Sequence, residues 1–331
     1  MSVLYVLEHG STVGVDGGTI TIKKKDYVER FPKETIDTIS FYSNSQITAQ
    51  CLRFCFGNGI PVGFFSETGR YYGRIVSNNS VKGELLKKQV YLSEDSEYVI
   101  KFARKVIYAK INNQLVTAKR YLREREGNPK EELFMMRDSR RKVENADSIN
   151  KIRGFEGIAA RQYFEIMRSI INPYLSFGTK RTRPATDPVN AMLNLGYSCL
   201  IKEICGIIES RGLSPYIGII HSNHDKMPSL ACDLIEEWRP IVIDSTVARI
   251  IVRGEVHSNM FRYDNGVCIM SQDAVKILLK NFEEKMFKES KYLSYISKPI
   301  SFRQAIWHQV ERLSKSIARG NSDYYNPILI R

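Results

Sequence analysis

The chain has 331 residues, 43% hydrophobic and 26% charged, with 49 Lys and Arg against 36 Asp and Glu, a formal net charge of +13. Such a length favours two domains, and such a composition can bury a core. With no run of about 18 apolar residues and no basic-then-apolar start, the chain reads as spanning no membrane and carrying no signal peptide. The six cysteines form no Cys-x-x-Cys pair and several lie in apolar runs, so they are expected to be reduced core residues of a cytoplasmic protein.

In chain order, the first 75 residues read mostly as strand. An apolar run occupies 3–7. Asp16-Gly17 signals a hairpin turn, with β-branched alternation following at 19–22 and 35–39. A helix is expected over 46–56, ended by Gly57 and Gly59 and burying Cys51 and Cys55. Residues 61–65 and 70–76 pair as a hairpin around Glu67-Thr68-Gly69. The polar stretch 77–82 marks a boundary between a β-rich domain at 1–80 and a helical domain at 81–331, an α+β chain. Beyond it the hydrophobic period becomes helical. One helix is expected over 90–122, with a break at Gly127-Asn128-Pro129, then others at 130–141 and 148–170. After a basic loop at 177–183, Asp187 at the N-cap and Pro188 at the first position open a helix to 211. Further helices are expected at 229–252, with Ser229 as cap, at 271–287 and at 302–319.

Charge is unevenly spread. Residues 1–80 hold 8 Lys and Arg against 7 Asp and Glu. Residues 101–183, opened by Lys101 and closed by Arg183, hold 20 against 9. A concentrated basic stretch implies a polyanionic partner bound through salt-sensitive phosphate contacts, with a solvated helical surface as the plainer alternative.

Against that background, three residues stand out. Glu156 lies in Gly154-Phe155-Glu156-Gly157, between Arg153 and Arg161. Two glycines in a helix cost about 1 kcal/mol each, so they suggest close approach by another helix or by a ligand. His221 closes the apolar run from Pro215; His224 and Asp225 follow, but no Cys or second His pair completes a zinc site. Glu236 follows 15 residues after His221, with Asp233 one turn earlier on the same helical face and Glu237 expected in solvent. Two carboxylates and an imidazole suit a hard-to-borderline divalent ion with positions open for water and phosphate. Arg239 is placed either to neutralise a phosphate or to pair with Glu236.

Gly154-x-Glu156-Gly157, the stretch from Arg183 to Asn190, Leu193-Asn194-Leu195-Gly196-Tyr197, Gly218-Ile219-Ile220-His221, Asp233 through Pro240, and the later Gln309 and Tyr325-Asn326-Pro327 together resemble the CRISPR-associated integrase family, Cas-one. The resemblance runs over essentially the whole chain. It implies a β-sandwich-like N-terminal domain, an all-α catalytic domain and a homodimer. It also implies that Glu156, His221 and Glu236 are the catalytic residues and ligands of Mg2+ or Mn2+, with Asp233 as an accessory acid. The implied partners are double-stranded DNA, both protospacer and CRISPR repeat, and the small subunit Cas-two. Ile-Ile-His, where many members carry an aromatic before the His, leaves that ligand set intact. The competing expectations are a non-catalytic basic DNA-binding scaffold and a generic metal-dependent nuclease.

Overall fold

The structure, a computed structural model, describes residues 3–24, 27–66, 71–75, 82–123, 129–179, 182–291, 293 and 295–330. It divides into two compact units, Met1–Ser80 and Val81–Arg331.

Among the described residues the first unit has eight strands: β1 (Val3–Val6), β2 (Thr12–Asp16), β3 (Thr19–Lys24), β4 (Tyr27–Pro32), β5 (Thr38–Phe41), β6 (Gln46–Ile47), β7 (Val62–Phe65) and β8 (Tyr71–Ile75), with helix α1 (Ala49–Gly57) before β7. They form two four-stranded sheets, in the orders β1-β5-β7-β8 and β4-β3-β2-β6. β2 and β3 pair antiparallel from Asp16↔Thr19, and Gly17 and Gly18 take φ of +55° and +77° in the turn. Those angles are open to glycine at little cost, which is why Asp16-Gly17 is legible as a hairpin. β4 carries no legible strand signal, because its residues are mostly exposed and show no alternation. The expected helix over 46–56 begins only at Ala49: Gln46 and Ile47 add a parallel strand to β2, and Thr48 then caps α1 by accepting from the Cys51 amide. Val6, Val13, Ile20, Ile39, Phe41, Val62 and the cysteines of α1 share one core. β7 and β8 pair as expected, while their Glu67-Thr68-Gly69 turn and most of the 77–82 break lie outside the described residues.

The second unit is mainly helical: α2 (Gly83–Glu94), α3 (Ser96–Leu122), α4 (Lys130–Glu144), α5 (Ile149–Ile171), α6 (Pro188–Ser210), α7 (Ser229–Trp238), α8 (Ser245–Val252), α9 (Gln272–Phe287) and α10 (Phe302–Arg319). The short ladders β9 (Phe261–Asp264) with β10 (Val267–Met270), and β11 (Glu289–Ser290) with β12 (Ile300–Ser301), are the strands that the all-α expectation did not include. The helix expected over 90–122 is two helices. Asp95 separates them, because its carboxylate caps α3 by accepting from the Glu97 and Tyr98 amides at 2.9 and 3.1 Å. The Gly127-Asn128 break lies outside the described residues, as do two residues of the 177–183 loop. Asp187 caps α6 and Pro188 opens it, as expected. α6 is long and apolar enough to cross a membrane by length and composition, yet 67% of that stretch is buried within the protein, as in a core helix. All six cysteines are buried thiols outside any disulfide.

Candidate active site

Glu236 lies near the end of α7, where the chain leaves ordinary helical winding. The helix expected over 229–252 is instead α7, a π-helical turn at Arg239–Asp244, and α8. Pro240 has no amide hydrogen to donate, which favours a wider turn at this point. Gly196 of α6 makes room for that turn: a Cβ there would stand 2.7 Å from Ile243 Cγ2. Ser229 is not the cap of α7. It is the first residue of the helix, and its hydroxyl donates to the Ser222 carbonyl at 3.1 Å.

Asp233, fully buried, organises the preceding loop. Its carboxylate accepts the Ile219, Ile220 and His221 amides at 2.6, 3.0 and 2.9 Å, and lies 2.6 Å from His221 Nδ1. Four donors occupy the capacity of one carboxylate, so Asp233 positions rather than ligates. Because a carboxylate can only accept, the neutral His221 ring carries its proton on Nδ1, which leaves the lone pair on Nε2. This hydrogen bond outweighs burial and raises the His221 pKa. Gly218 is required for close approach, since a Cβ would fall 2.7 Å from both the His221 carbonyl oxygen and Ser229 Cβ. Gln89 of α2 holds the loop from the other side, donating to Ser214 and Ile217 carbonyls at 2.8 Å.

Glu156 comes from α5. One turn earlier, Arg153 donates to the Ile220 carbonyl at 2.8 Å, tying α5 to the His221 loop. The partner of Glu156 is neither flanking arginine but Lys110 of α3, which also lies 2.5 Å from Glu236 Oε2. Glu236 Oε2 is buried and makes no well-angled hydrogen bond, only this ion pair. Arg239 takes the other oxygen at 2.9 Å and lies over the Tyr197 ring. Burial opposes ionisation of Glu236, but Arg239 and Lys110 prevail and hold its pKa down. Burial likewise opposes the charge of Lys110, and Glu236 and Glu156 outweigh it. The glycines beside Glu156 serve no helix packing: both are exposed, with nothing within 4 Å of where a Cβ would stand. Beside them a cavity of about 290 Å3 is lined by Arg161, Phe164, Arg168 and Phe177.

The structure thus brings Glu156 and Glu236 onto one ammonium, and the charge of Glu236 acts on the His221 ring. Among the described residues, no three His, Cys, Asp or Glu side chains are gathered to hold a metal as they stand, because Lys110 fills the place between the carboxylates. The donor set itself, two carboxylates and an imidazole Nε2 with one carboxylate oxygen lacking a hydrogen bond, fits Mg2+ or Mn2+. His224 and Asp225 are exposed in the loop.

Two residues of this region have places that the sequence reading does not foresee. Lys110 belongs to a polar stripe of Lys110, Asn113, Gln114 and Thr117, at i, i+3, i+4 and i+7 on the buried face of α3. That helical spacing is the available signal, and it is hidden when only the apolar residues of the helix are followed. Glu237, expected in solvent, is fully buried. It accepts from the Gln309 amide group, the Tyr325 hydroxyl and the Ile328 amide, the last at 2.8 Å, and burial pushes its pKa up to about 8. The chain after α10 returns across α3 and α7, where Asn113 donates to the Glu237 and Ile328 carbonyls at 3.0 Å.

Residues 4–284 match the family profile described as CRISPR associated protein Cas1. The chain belongs to the Cas1 family. A CRISPR-associated endonuclease Cas1 of Mycobacterium tuberculosis is 28% identical over 324 residues, covering 97% of this chain and 95% of that protein. Two solved structures share the Cas1 fold seen here. A casposase bound to its integration product superposes with a TM-score of 0.82 at 24% identity, covering 97% of this chain and 92% of its own. A Cas6-RT-Cas1–Cas2 complex superposes with a TM-score of 0.83 at 21% identity, covering all of this chain and 36% of that longer one.

Proposed function

We propose that this chain is a divalent-metal-dependent DNA endonuclease and integrase of CRISPR adaptation, joining protospacer 3′-hydroxyl ends to the CRISPR repeat by transesterification. The observation that carries this reading is the convergence of Glu156 and Glu236 on one cation, beside an imidazole whose Nε2 Asp233 leaves available. Glu156, Glu236 and His221 would hold Mg2+ or Mn2+, which supplies Lewis acidity toward a phosphodiester oxygen. Arg239 and Lys110 keep positive charge beside the carboxylates, where negative charge builds on the phosphoryl oxygens during displacement. Asp233 holds the imidazole in one orientation, so little reorganisation remains for the reaction itself. The bare surface around Gly154 and Gly157 lets a DNA backbone approach Glu156 without meeting a side chain.

Hydrolysis and strand transfer differ only in the nucleophile, water or a DNA 3′-hydroxyl, so the same residues serve both. Strand transfer exchanges one phosphodiester for another and needs in-line placement rather than an energy source. The endonuclease name of the M. tuberculosis relative supports DNA cleavage over a scaffold, and the titles of the two structural neighbours, a Cas1–Cas2 complex and a casposase with its integration product, are the support for reading integration with a Cas2 partner. Inserting both ends of a duplex at a fixed separation calls for two sites held apart, hence homodimers bridged by the small subunit.

Glu156→Ala, His221→Ala and Glu236→Ala are each expected to lower Mn2+-dependent DNA processing about 100-fold or more with helicity kept. Near-normal activity in any two would remove the site assignment. The decisive assay is a labelled 3′-hydroxyl duplex with a supercoiled repeat plasmid, with and without Cas2. Product formed without a free 3′-hydroxyl leaves only the nuclease, DNA binding indifferent to chelator without any product leaves the scaffold, and equal full-site product in both arms removes the bridging role of Cas2.

A further inference from the structure

A second concave site lies between α3, the π turn, α8 and α9, and shares no residue with the Glu156 cluster. The cavity measures about 300 Å3. Four cations line it: Arg120 from α3, Arg249 from α8, Lys285 from α9 and Lys288 just after that helix, against a single carboxylate, Glu284. Arg303, by contrast, lies between two carboxylates, Glu203 and Glu283. Here cations flank a cation. The effect is visible on Lys285: burial first, then the charges of Lys288, Arg120 and Arg249, pull its pKa down to about 8.

A second observation is independent of charge. Thr246 lines the same cavity from α8, is 2% exposed, and its hydroxyl has no hydrogen-bond partner. A buried hydroxyl without a partner is costly, so this wall of the cavity gains from an added acceptor. Arg249 is also held in place: it donates to Asn281 Oδ1 at 2.6 Å, and Asn281 in turn donates to Glu255 at 2.8 Å. Only one of the donors in its fork is used in this way, and a supported guanidinium with free donors is suited to phosphate oxygens.

We propose that this cavity is a phosphate-binding site, taking a DNA backbone phosphodiester or free inorganic phosphate, distinct from the candidate active site. Arg120, Arg249, Lys285 and Lys288 supply the charge, and the Thr246 hydroxyl supplies a directed hydrogen bond. Most of these cations lie outside residues 101–183, so the site extends the basic surface beyond the stretch that composition marked. In a chain of the Cas1 family, a backbone phosphate held here anchors DNA through a contact that carries no sequence information.

The test uses the full-length protein in EDTA, so that no turnover is involved and its failure leaves the proposed reaction untouched. Melting temperature is measured in inorganic phosphate and in chloride at matched ionic strength and pH 7, for wild type and for Arg249→Gln with Lys285→Gln. Anisotropy of a labelled short duplex is then followed across a salt series. Phosphate is expected to raise the wild-type melting temperature above its chloride value, and the double variant to lose that rise. Its duplex affinity is expected to fall about 10-fold, with a salt slope shallower by about 1 for each phosphate that the variant no longer neutralises. Loss of the phosphate effect with an unchanged duplex slope assigns the site to free phosphate; a shallower slope assigns it to the DNA backbone. If both are unchanged, the proposal is overturned. Should the double variant lose helicity, Lys288→Gln reads the same two quantities.

Discussion

Lys110 is the residue whose replacement says most about the site. Removing one partner from a buried ion pair leaves the other uncompensated, at a cost of about 3–5 kcal/mol. Lys110→Met is therefore expected to lower the melting temperature markedly in EDTA, because the buried Glu236 keeps only Arg239 while Glu156 loses its partner. Mn2+ is expected to restore more stability in this variant than in wild type. A variant as stable as wild type in EDTA, or indifferent to Mn2+, would show that Lys110 does not stand in for a cation. A second residue-scale expectation concerns pH. Lys285 releases its proton near 8 in the folded chain, against 10.5 unfolded, so the unfolded chain binds more protons between those values. Its contribution to stability is present above 10.5 and is lost as pH falls through 8. Lys285→Met should raise the melting temperature at pH 7 and leave it nearly unchanged at pH 10.5, as read by calorimetry. Glu156, His221 and Glu236 are legible as candidates because each lies in a distinctive local setting. Lys110 is not, because what distinguishes it is what the fold packs around it, and a lysine in a helix ordinarily lies in solvent.

At the scale of elements, local chemistry predicted where helices begin better than where they are interrupted. Asp187-Pro188 is a strong start signal and the structure places α6 there, while α10 opens on a capping box of Ser301 and Gln304 that only the structure shows. Asp95 is harder to see because apolar spacing continues through it, hiding a cap inside one long amphipathic pattern. Asp95→Ala is expected to cost about 1 kcal/mol, measured by urea unfolding; no change would mean that the cap is replaceable. The π turn was invisible for a different reason: it depends on Gly196 of another helix leaving space for Ile243. Gly196→Ala should therefore disturb the segment carrying Arg239 and weaken Mn2+ binding as well as stability. Unchanged metal affinity would confine its effect to packing.

For the molecule as a whole, charge and architecture are divided between the two units. The near-neutral Met1–Ser80 unit is the better candidate for self-association, because like-charged surfaces repel. Among the described residues β4 is an edge strand, and it exposes Tyr27 and Val28. A protein beginning at residue 81 should be monomeric at low micromolar concentration by sedimentation, and a persistent dimer would move the contact to the helical unit. The basic excess sets the salt response: contact with six phosphates gives a slope of about −5 in log K against log salt. A slope near zero would mean that the basic stretch faces solvent or protein.

The burial of Glu237 has a consequence for the order in which this chain can fold. Its three partners, Gln309, Tyr325 and Ile328, lie 72, 88 and 91 residues further along. A chain emerging from the ribosome therefore presents α7, with Glu236 next in sequence, while the adjacent carboxyl has nothing to accept from. Closing contacts across such separations is slow, and until they form, burying α7 against α3 and α6 leaves the Glu237 carboxyl without partners. Translation thus makes the strand-rich unit first and completes the setting of Glu236 late. Nascent chains arrested before residue 325 are expected to be cleaved by protease around α7 while residues 1–80 already resist it.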